Sequence, residues 1–180
     1  MQAQKIKKIN GNVRNCKKCI LWKERKNAAP GEGPVNAKIM IIGQAPGANE
    51  DKTGRPFIGR AGQLLNQLLK IANIKREKVF ITSIVKCFPP KNRKPTKREI
   101  QACLPYLNKQ IGMINPRRFI LLGEVAFSVF FQGEKLKDYR GKVTKKNNKE
   151  FFITYHPAAG LRFPRIKRIL EKDFEGIRKY

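Results

Sequence analysis

Apolar residues in this chain fall in two kinds of run. Short stretches near 37–42, 78–85, 117–122 and 150–155, among them Ile39-Met40-Ile41-Ile42 and Phe151-Phe152-Ile153, have the length of buried strands. Between them lie segments with helical spacing of apolar positions, such as Leu64-Leu65 and Leu68-Leu69. These predict helices near 60–73, 96–113, 123–131 and 164–178. Thr96-Lys97-Arg98-Glu99 has the form of a capping box, and Pro164 suits the first turn of the last helix. Strands alternating with helices imply parallel pairing and a three-layer α/β/α domain. The 180 residues suffice for one such domain with a workable core.

Two strand ends carry candidate chemistry. The first strand runs into Gly43-Gln44-Ala45-Pro46-Gly47 and then, past Glu50-Asp51, into Gly54-Arg55-Pro56-Phe57. A Gly-x-x-Pro-Gly turn exposes backbone N–H groups, and Phe57 offers an aromatic face beside them. Together they suit a planar ring bearing carbonyl oxygens. The only histidine, His156, follows the last strand in Thr154-Tyr155-His156-Pro157-Ala158-Ala159 and can donate a hydrogen bond to a developing anion. An ordinary βα turn would explain the glycines, and a structural hydrogen bond would explain the histidine. Both features nevertheless fall at the carboxyl ends of strands, where open α/β sheets bind ligands.

Cys16 and Cys19 form a C-x2-C pair, and Cys87 and Cys103 stand fifteen residues apart. The sequence has neither a secretory apolar region nor the roughly 18 apolar residues of a membrane span, so the expected compartment is cytoplasmic, where structural disulfides are uncommon. Four thiols then suggest a metal centre that staples the N-terminal segment to the loop between Cys87 and Cys103. Zinc and an iron–sulfur cluster both fit the spacing.

Forty Lys and Arg against thirteen Asp and Glu give a net charge of +27, which calls for a polyanionic partner. Lys91, Arg93 and Lys94, in the stiff loop Pro89–Pro95, and Arg162, just after the histidine, are the expected phosphate contacts. Lys145-Lys146-Asn147-Asn148-Lys149 reads instead as a solvated hairpin turn.

The order and spacing of these motifs resemble the family 4 uracil-DNA glycosylases, the iron–sulfur branch, over nearly the whole chain. The resemblance is carried by the C-x2-C start, the block from Gly43 to Gly62, Lys86-Cys87-x-Pro-Pro-x-Asn92-Arg93, Cys103-x-Pro105, Leu122-Gly123 and His156-Pro157-Ala158-Ala159. It implies a four-stranded, mostly parallel sheet, a [4Fe–4S] cluster on the four cysteines, and uracil flipped out of DNA into the pocket of a monomeric enzyme. By that resemblance Phe57 stacks on the base, backbone groups around Gln44 meet its carbonyl, and His156 stabilises the departing uracil anion. Water attacks the sugar directly, with Glu50 or Asp51 as candidates to position it. Two positions depart from the family pattern: Gln44 stands where glutamate is usual, and Ser83 where asparagine reads the base edge. These departures keep open a glycosylase for another deaminated base such as hypoxanthine, a lesion- or single-strand-binding module without catalysis, and a zinc-bearing nucleic-acid protein.

Overall fold

The computed structural model describes residues 2–178. In chain order it contains α1 (Gln2–Arg14), β1 (Ile39–Gly43), α2 (Ala48–Thr53), α3 (Arg60–Ile71), β2 (Val79–Ser83) and α4 (Lys97–Ile114). There follow β3 (Arg118–Leu122), α5 (Glu124–Phe130), α6 (Leu136–Tyr139), β4 (Val143–Lys146), β5 (Lys149–Thr154), α7 (Pro157–Arg162) and α8 (Pro164–Gly176). The strands lie in the order β2-β1-β3-β5-β4. The first four of that order run parallel, and β4 pairs antiparallel with β5.

The sheet thus has one strand more than the four that the apolar runs predict. Val143-Thr144-Lys145-Lys146 has no apolar run because it is a half-exposed edge strand, held by its hairpin partner rather than by burial. The basic run does form a hairpin turn. Asn147 and Asn148 sit there at φ 49° and 58°, the left-handed conformation that asparagine tolerates better than most residues.

The four predicted helices, α3, α4, α5 and α8, stand within two residues of their expected bounds, and Thr96 and Glu99 close the capping box in both directions. Helix α1 lies outside the sequence reading. Its large apolar residues are only Ile6, Ile9 and Val13, and Gly11 lowers its intrinsic propensity. Packing of that narrow stripe on α4 makes it a helix. The short helix α7 also lies outside that reading, although Pro157 at its first position is a start signal.

Side chains alternate across the sheet into two cores. Met40, Ile42, Phe119, Leu121, Phe151 and Ile153 face α1, α4 and α5, whereas Ile41, Ile120, Leu122 and Phe152 face the leucines of α3 and Leu170 and Phe174 of α8. Connections leave β1 in one direction to β2 and return to its other side at β3. The carboxyl ends of β1 and β3 therefore flank a topological switch point, where such sheets open a crevice.

One close approach shapes that crevice. A Cβ on Gly62, in the first turn of α3, would run into the carbonyl of Phe57. The helix can press against the preceding turn only because this position lacks a side chain. Gly62→Ala is therefore expected to lower the unfolding free energy by about 1–3 kcal/mol, as overpacking does, read from denaturant titration.

Candidate functional site

A cleft of about 580 Å³ opens at the switch point, lined by Gln44–Glu50, Pro56, Phe57, Ser83, Asn92, Arg93, His156, Leu161 and Arg162, among others. It gathers Gln44, Glu50, Phe57, Ser83, Arg93, His156 and Arg162 from the sequence-predicted set. Lys91, Lys94 and Asp51 do not line it.

Glu50 builds two of its walls. Its Oε2 accepts the N–H of Gly47 (3.0 Å), and Oε1 accepts those of Ile58 (2.9 Å) and Gly59 (2.7 Å). The carboxylate thereby ties the turn after β1 to the turn before α3. A Cβ at Gly47 would stand 2.8 Å from Oε2, so the glycine admits the carboxylate. Glu50, expected to position water, is committed to backbone donors through both oxygens. Asp51 is likewise taken, because both its oxygens accept the Lys26 N–H (3.0 and 3.1 Å). It pins the N-terminal segment to α2 and takes no part in the cleft.

Between the two turns, Phe57 is held at φ 51° and is almost completely buried. Its ring stacks on that of His156, with centroids 5.6 Å apart and planes at 29°. The missing side chain of Gly43 makes the room: a Cβ there would lie 2.5 Å from the Phe57 ring and 3.5 Å from His156 Nε2.

The protonation state of His156 follows from its surroundings. Desolvation pushes its pKa down to about 4, against a smaller upward pull from Glu50, so the ring is neutral near pH 7. Its Nδ1 accepts the Ala158 N–H at 3.1 Å, capping α7. A nitrogen that accepts carries no proton, so the proton sits on Nε2. His156 as a residue is only partly buried, but Nε2 itself is shut off from solvent and has no hydrogen-bond partner. A buried N–H that no protein group pairs, at a cleft wall, is placed to donate to an acceptor in the cleft.

Gln44 follows β1 directly, and Ser83 ends the neighbouring strand β2. The Gln44 carbonyl accepts the Val85 N–H (3.2 Å), continuing the pairing past the strand ends. Ser83 is buried, and its carbonyl accepts from Lys86 Nζ at 2.7 Å. Lys86 lies outside the sequence-predicted set. It is fully buried, and its ammonium donates also to Thr82 Oγ1 (2.5 Å) and Gln110 Oε1 (2.9 Å), a partner for each proton. Desolvation lowers its pKa to about 8, so it remains charged at neutral pH. A lysine in an apolar run, just past a strand, was the available signal.

Of the basic residues, Arg93 forks onto Glu99 at 2.9 and 2.6 Å. It thereby fixes the Pro89–Pro95 loop to the start of α4. Lys91 and Lys94 are exposed, and Lys91 and Asn92 both adopt left-handed backbone (φ 55° and 56°), which turns the loop sharply at the cleft's edge.

Behind the sheet, Cys16, Cys19, Cys87 and Cys103 line one small cavity together with Arg25, Lys86 and Tyr106. Each sulfur has an N–H donor. Cys16 receives the Lys18 amide (3.5 Å), Cys19 that of Leu21, Cys103 that of Lys86, and Cys87 receives Arg25 Nη1 (3.0 Å). Arg25 Nη2 also donates to the Arg14 carbonyl at the end of α1 (2.5 Å), so one guanidinium joins helix and sulfur. Burial pushes the Cys19, Cys87 and Cys103 thiols up, Cys103 to about 11, so a metal would have to displace their protons. Among the described residues no three Cys, His, Asp or Glu side chains converge tightly enough for a single ion. Four thiols around one cavity are a donor set that both zinc and an iron–sulfur cluster accept.

A neutral imidazole donor and an aromatic face at the carboxyl end of a parallel sheet, on so basic a surface, define a pocket for a planar ring carried on a polyanion. Residues 30–175 match the Uracil DNA glycosylase superfamily. The chain is 47% identical to the Type-4 uracil-DNA glycosylase of Pyrobaculum aerophilum, covering 93% of this chain and 90% of the relative. It is 49% identical to the Type-4 uracil-DNA glycosylase of Sulfurisphaera tokodaii (97% and 84%) and 40% identical to that of Thermotoga maritima (96% and 92%). The chain belongs to the uracil-DNA glycosylase superfamily and, within it, to the type-4 family. No helix among the described residues is long and apolar enough to cross a membrane.

The single histidine allows an assignment-free test of this electrostatic picture. Its imidazole C–H resonances are expected to stay constant from pH 8 to pH 5 and to move only near pH 4. The unfolded chain takes up this proton near pH 6.5 and the folded one only near 4. The pH dependence of unfolding should therefore show stability falling from pH 6.5 toward 4, by roughly 3 kcal/mol from this group.

Proposed function

We propose that this protein hydrolyses the N-glycosidic bond of uracil in DNA and leaves an abasic site, as a monofunctional, cytoplasmic, monomeric repair enzyme formed by a single domain. The observation that carries this reading is the unpaired Nε2–H of His156 beneath the ring of Phe57. When the C1′–N bond breaks, its electron pair moves onto the base, and the sugar becomes oxocarbenium-like. A fixed donor aimed at a base carbonyl oxygen favours that charge in the transition state more than in the bound substrate. A neutral histidine serves well here, because it stabilises the anion without itself needing to lose a proton.

Phe57 supplies the stacking face for the flipped base, displacing its present contact with His156. Backbone groups around Gln44 and the Ser83 hydroxyl meet the base edge. Water attacks C1′ directly, since no strong nucleophile lines the cleft. Glu50 is a positioning residue, holding the turns that place Phe57 and the 44–47 backbone. Lys91, Lys94 and Arg162 contact phosphates, while Arg93 shapes their loop through Glu99.

Cys16, Cys19, Cys87 and Cys103 hold a [4Fe–4S] cluster in this reading. When bound, the cluster supplies four covalent cross-links and no chemistry on the base. Arg25 and the amides of Lys18, Leu21 and Lys86 stabilise the thiolates.

Anaerobically purified protein should be brown with about four irons per chain. A colourless, active protein with one zinc would overturn the cluster. Single-turnover excision from oligonucleotides bearing uracil, hypoxanthine or xanthine tests the substrate. Uracil should be released fastest, and His156→Ala should slow that release by about 100- to 1000-fold with DNA affinity nearly unchanged. Release of hypoxanthine alone would reassign the enzyme, and release of none would leave a binding module. Neutralising Lys91 and Lys94 should weaken binding to all sequences alike and lower the salt slope by roughly 0.9 for each phosphate left without its cation.

A further inference from the structure

Phe57 is the only aromatic residue at positive φ (51°) among the described residues, a conformation that a bulky side chain adopts at a cost. A residue stays there only where its neighbours leave it no alternative. Its backbone angles are set by the planes of the two peptides that flank it. The peptide after it is fixed from the cleft side. Glu50 accepts the Ile58 N–H at 2.9 Å, and α3 presses on the Phe57 carbonyl at Gly62. The peptide before it is fixed from the other side. Pro56 is buried, and its carbonyl accepts Arg76 Nη2 at 2.9 Å.

Arg76 opens the single 3₁₀ turn Arg76–Lys78 that leads into β2. The rest of its guanidinium is anchored as well. Nη2 donates also to Glu32 Oε1 (3.1 Å), and Nη1 donates to Asn66 Oδ1 of α3 (2.9 Å). Glu32 in turn accepts Nε of Arg55, the residue before Pro56, at 2.9 Å. The Glu32 backbone pairs with Ile81 of β2 in both directions (3.0 and 2.8 Å). Gly33 beside it lies so close to β2 that a Cβ would run into the Val79 carbonyl, so the carboxylate is held against the sheet edge. Burial raises the Glu32 pKa, but the hydrogen bonds from Arg55 and Arg76 outweigh this and hold it below the ordinary carboxylate value. Glu32, Arg55 and Arg76 stand behind the turn and do not line the cleft.

We propose that Arg76, anchored by Glu32, is a positioning residue for base excision: by holding the Pro56 carbonyl it keeps Phe57 in left-handed backbone, with its ring presented to the flipped base. The inference rests on the reading that the cleft takes a base from DNA. A surface ion pair that only adds stability and a phosphate contact by Arg76 are the alternatives that the test separates.

The first arm of the test needs no substrate. Protein labelled with ¹³C-histidine reports on His156 alone, and the Phe57 ring stacked 5.6 Å away shifts its C–H resonances by ring current. Arg76→Met is expected to move them toward their positions in Phe57→Ala, and to move them hardly at all once Phe57 is alanine. Glu32→Gln leaves the guanidinium in place and should move them the same way by less. It takes the place of Arg76→Met should that variant not fold. The second arm is single-turnover release of uracil from an oligonucleotide. Arg76→Met is expected to lower the maximal rate divided by the half-saturating enzyme concentration by about 5- to 100-fold, with affinity for uracil-free DNA unchanged. In Phe57→Ala the same substitution should cost no further rate, because Arg76 acts through that ring. Wild-type His156 resonances in the folded variants, or rate losses that add in the double variant, overturn the proposal. So does a loss of uracil-free binding that matches the loss of rate, which would make Arg76 a phosphate contact. Resonances that move in a protein whose wild type releases no uracil would keep the clasp on Phe57 and sink the excision reading.

Discussion

The cleft depends on one carboxylate, that of Glu50. The turn after β1 and the turn before α3 each present backbone N–H groups that a buried loop cannot leave unpaired, and one carboxylate takes donors from both. With the two turns joined, Phe57 is held in left-handed backbone and its ring is directed over Gly43 toward His156. A charged side chain near the sheet end is thus tolerated because three dipoles surround it. Its field also offsets a little of the desolvation that keeps His156 neutral.

The opposite side of β2 is organised by a second buried charge. Lys86 donates its three hydrogen bonds to Thr82, Ser83 and Gln110, and its own amide reaches Cys103. The strand end that lines the cleft at Ser83 and the cysteine centre are therefore parts of one hydrogen-bonded unit. Gln110 carries the same unit on to the Pro30 carbonyl (2.8 Å), and Arg25 carries the sulfur side to α1. A cross-link among the four cysteines would stiffen the pocket from behind without touching a ligand, which fits a structural part for the metal.

The surface and the pocket use charge in opposite ways. Outside, an excess of cations draws a polyanion regardless of its sequence. Inside, the histidine is uncharged, and in the proposed reaction it acts by a directed hydrogen bond. A cation there would bind an anionic product as readily as the transition state. A neutral donor shut off from water favours the charge mainly as it develops.

Much of this was legible in the sequence. The strands β1, β2, β3 and β5 and the helices α3, α4, α5 and α8 follow from apolar period, because burial on both faces of a parallel sheet leaves continuous apolar runs. Phe57, Ser83, His156 and Arg162 were legible as cleft residues because strand ends in an open sheet converge on one edge. The edge strand β4 and helix α1 escaped, since both are held by neighbours rather than by their own pattern. Glu50, Asp51 and Arg93 were visible as charges but not as braces. Their partners are backbone amides and a carboxylate whose approach depends on how the turns fold back. Local periodicity and strand-end position are properties of the sequence itself. Which proton His156 carries, which carboxylate is occupied and which thiols share a cavity depend on distances between remote segments, and those only the packed tertiary structure decided.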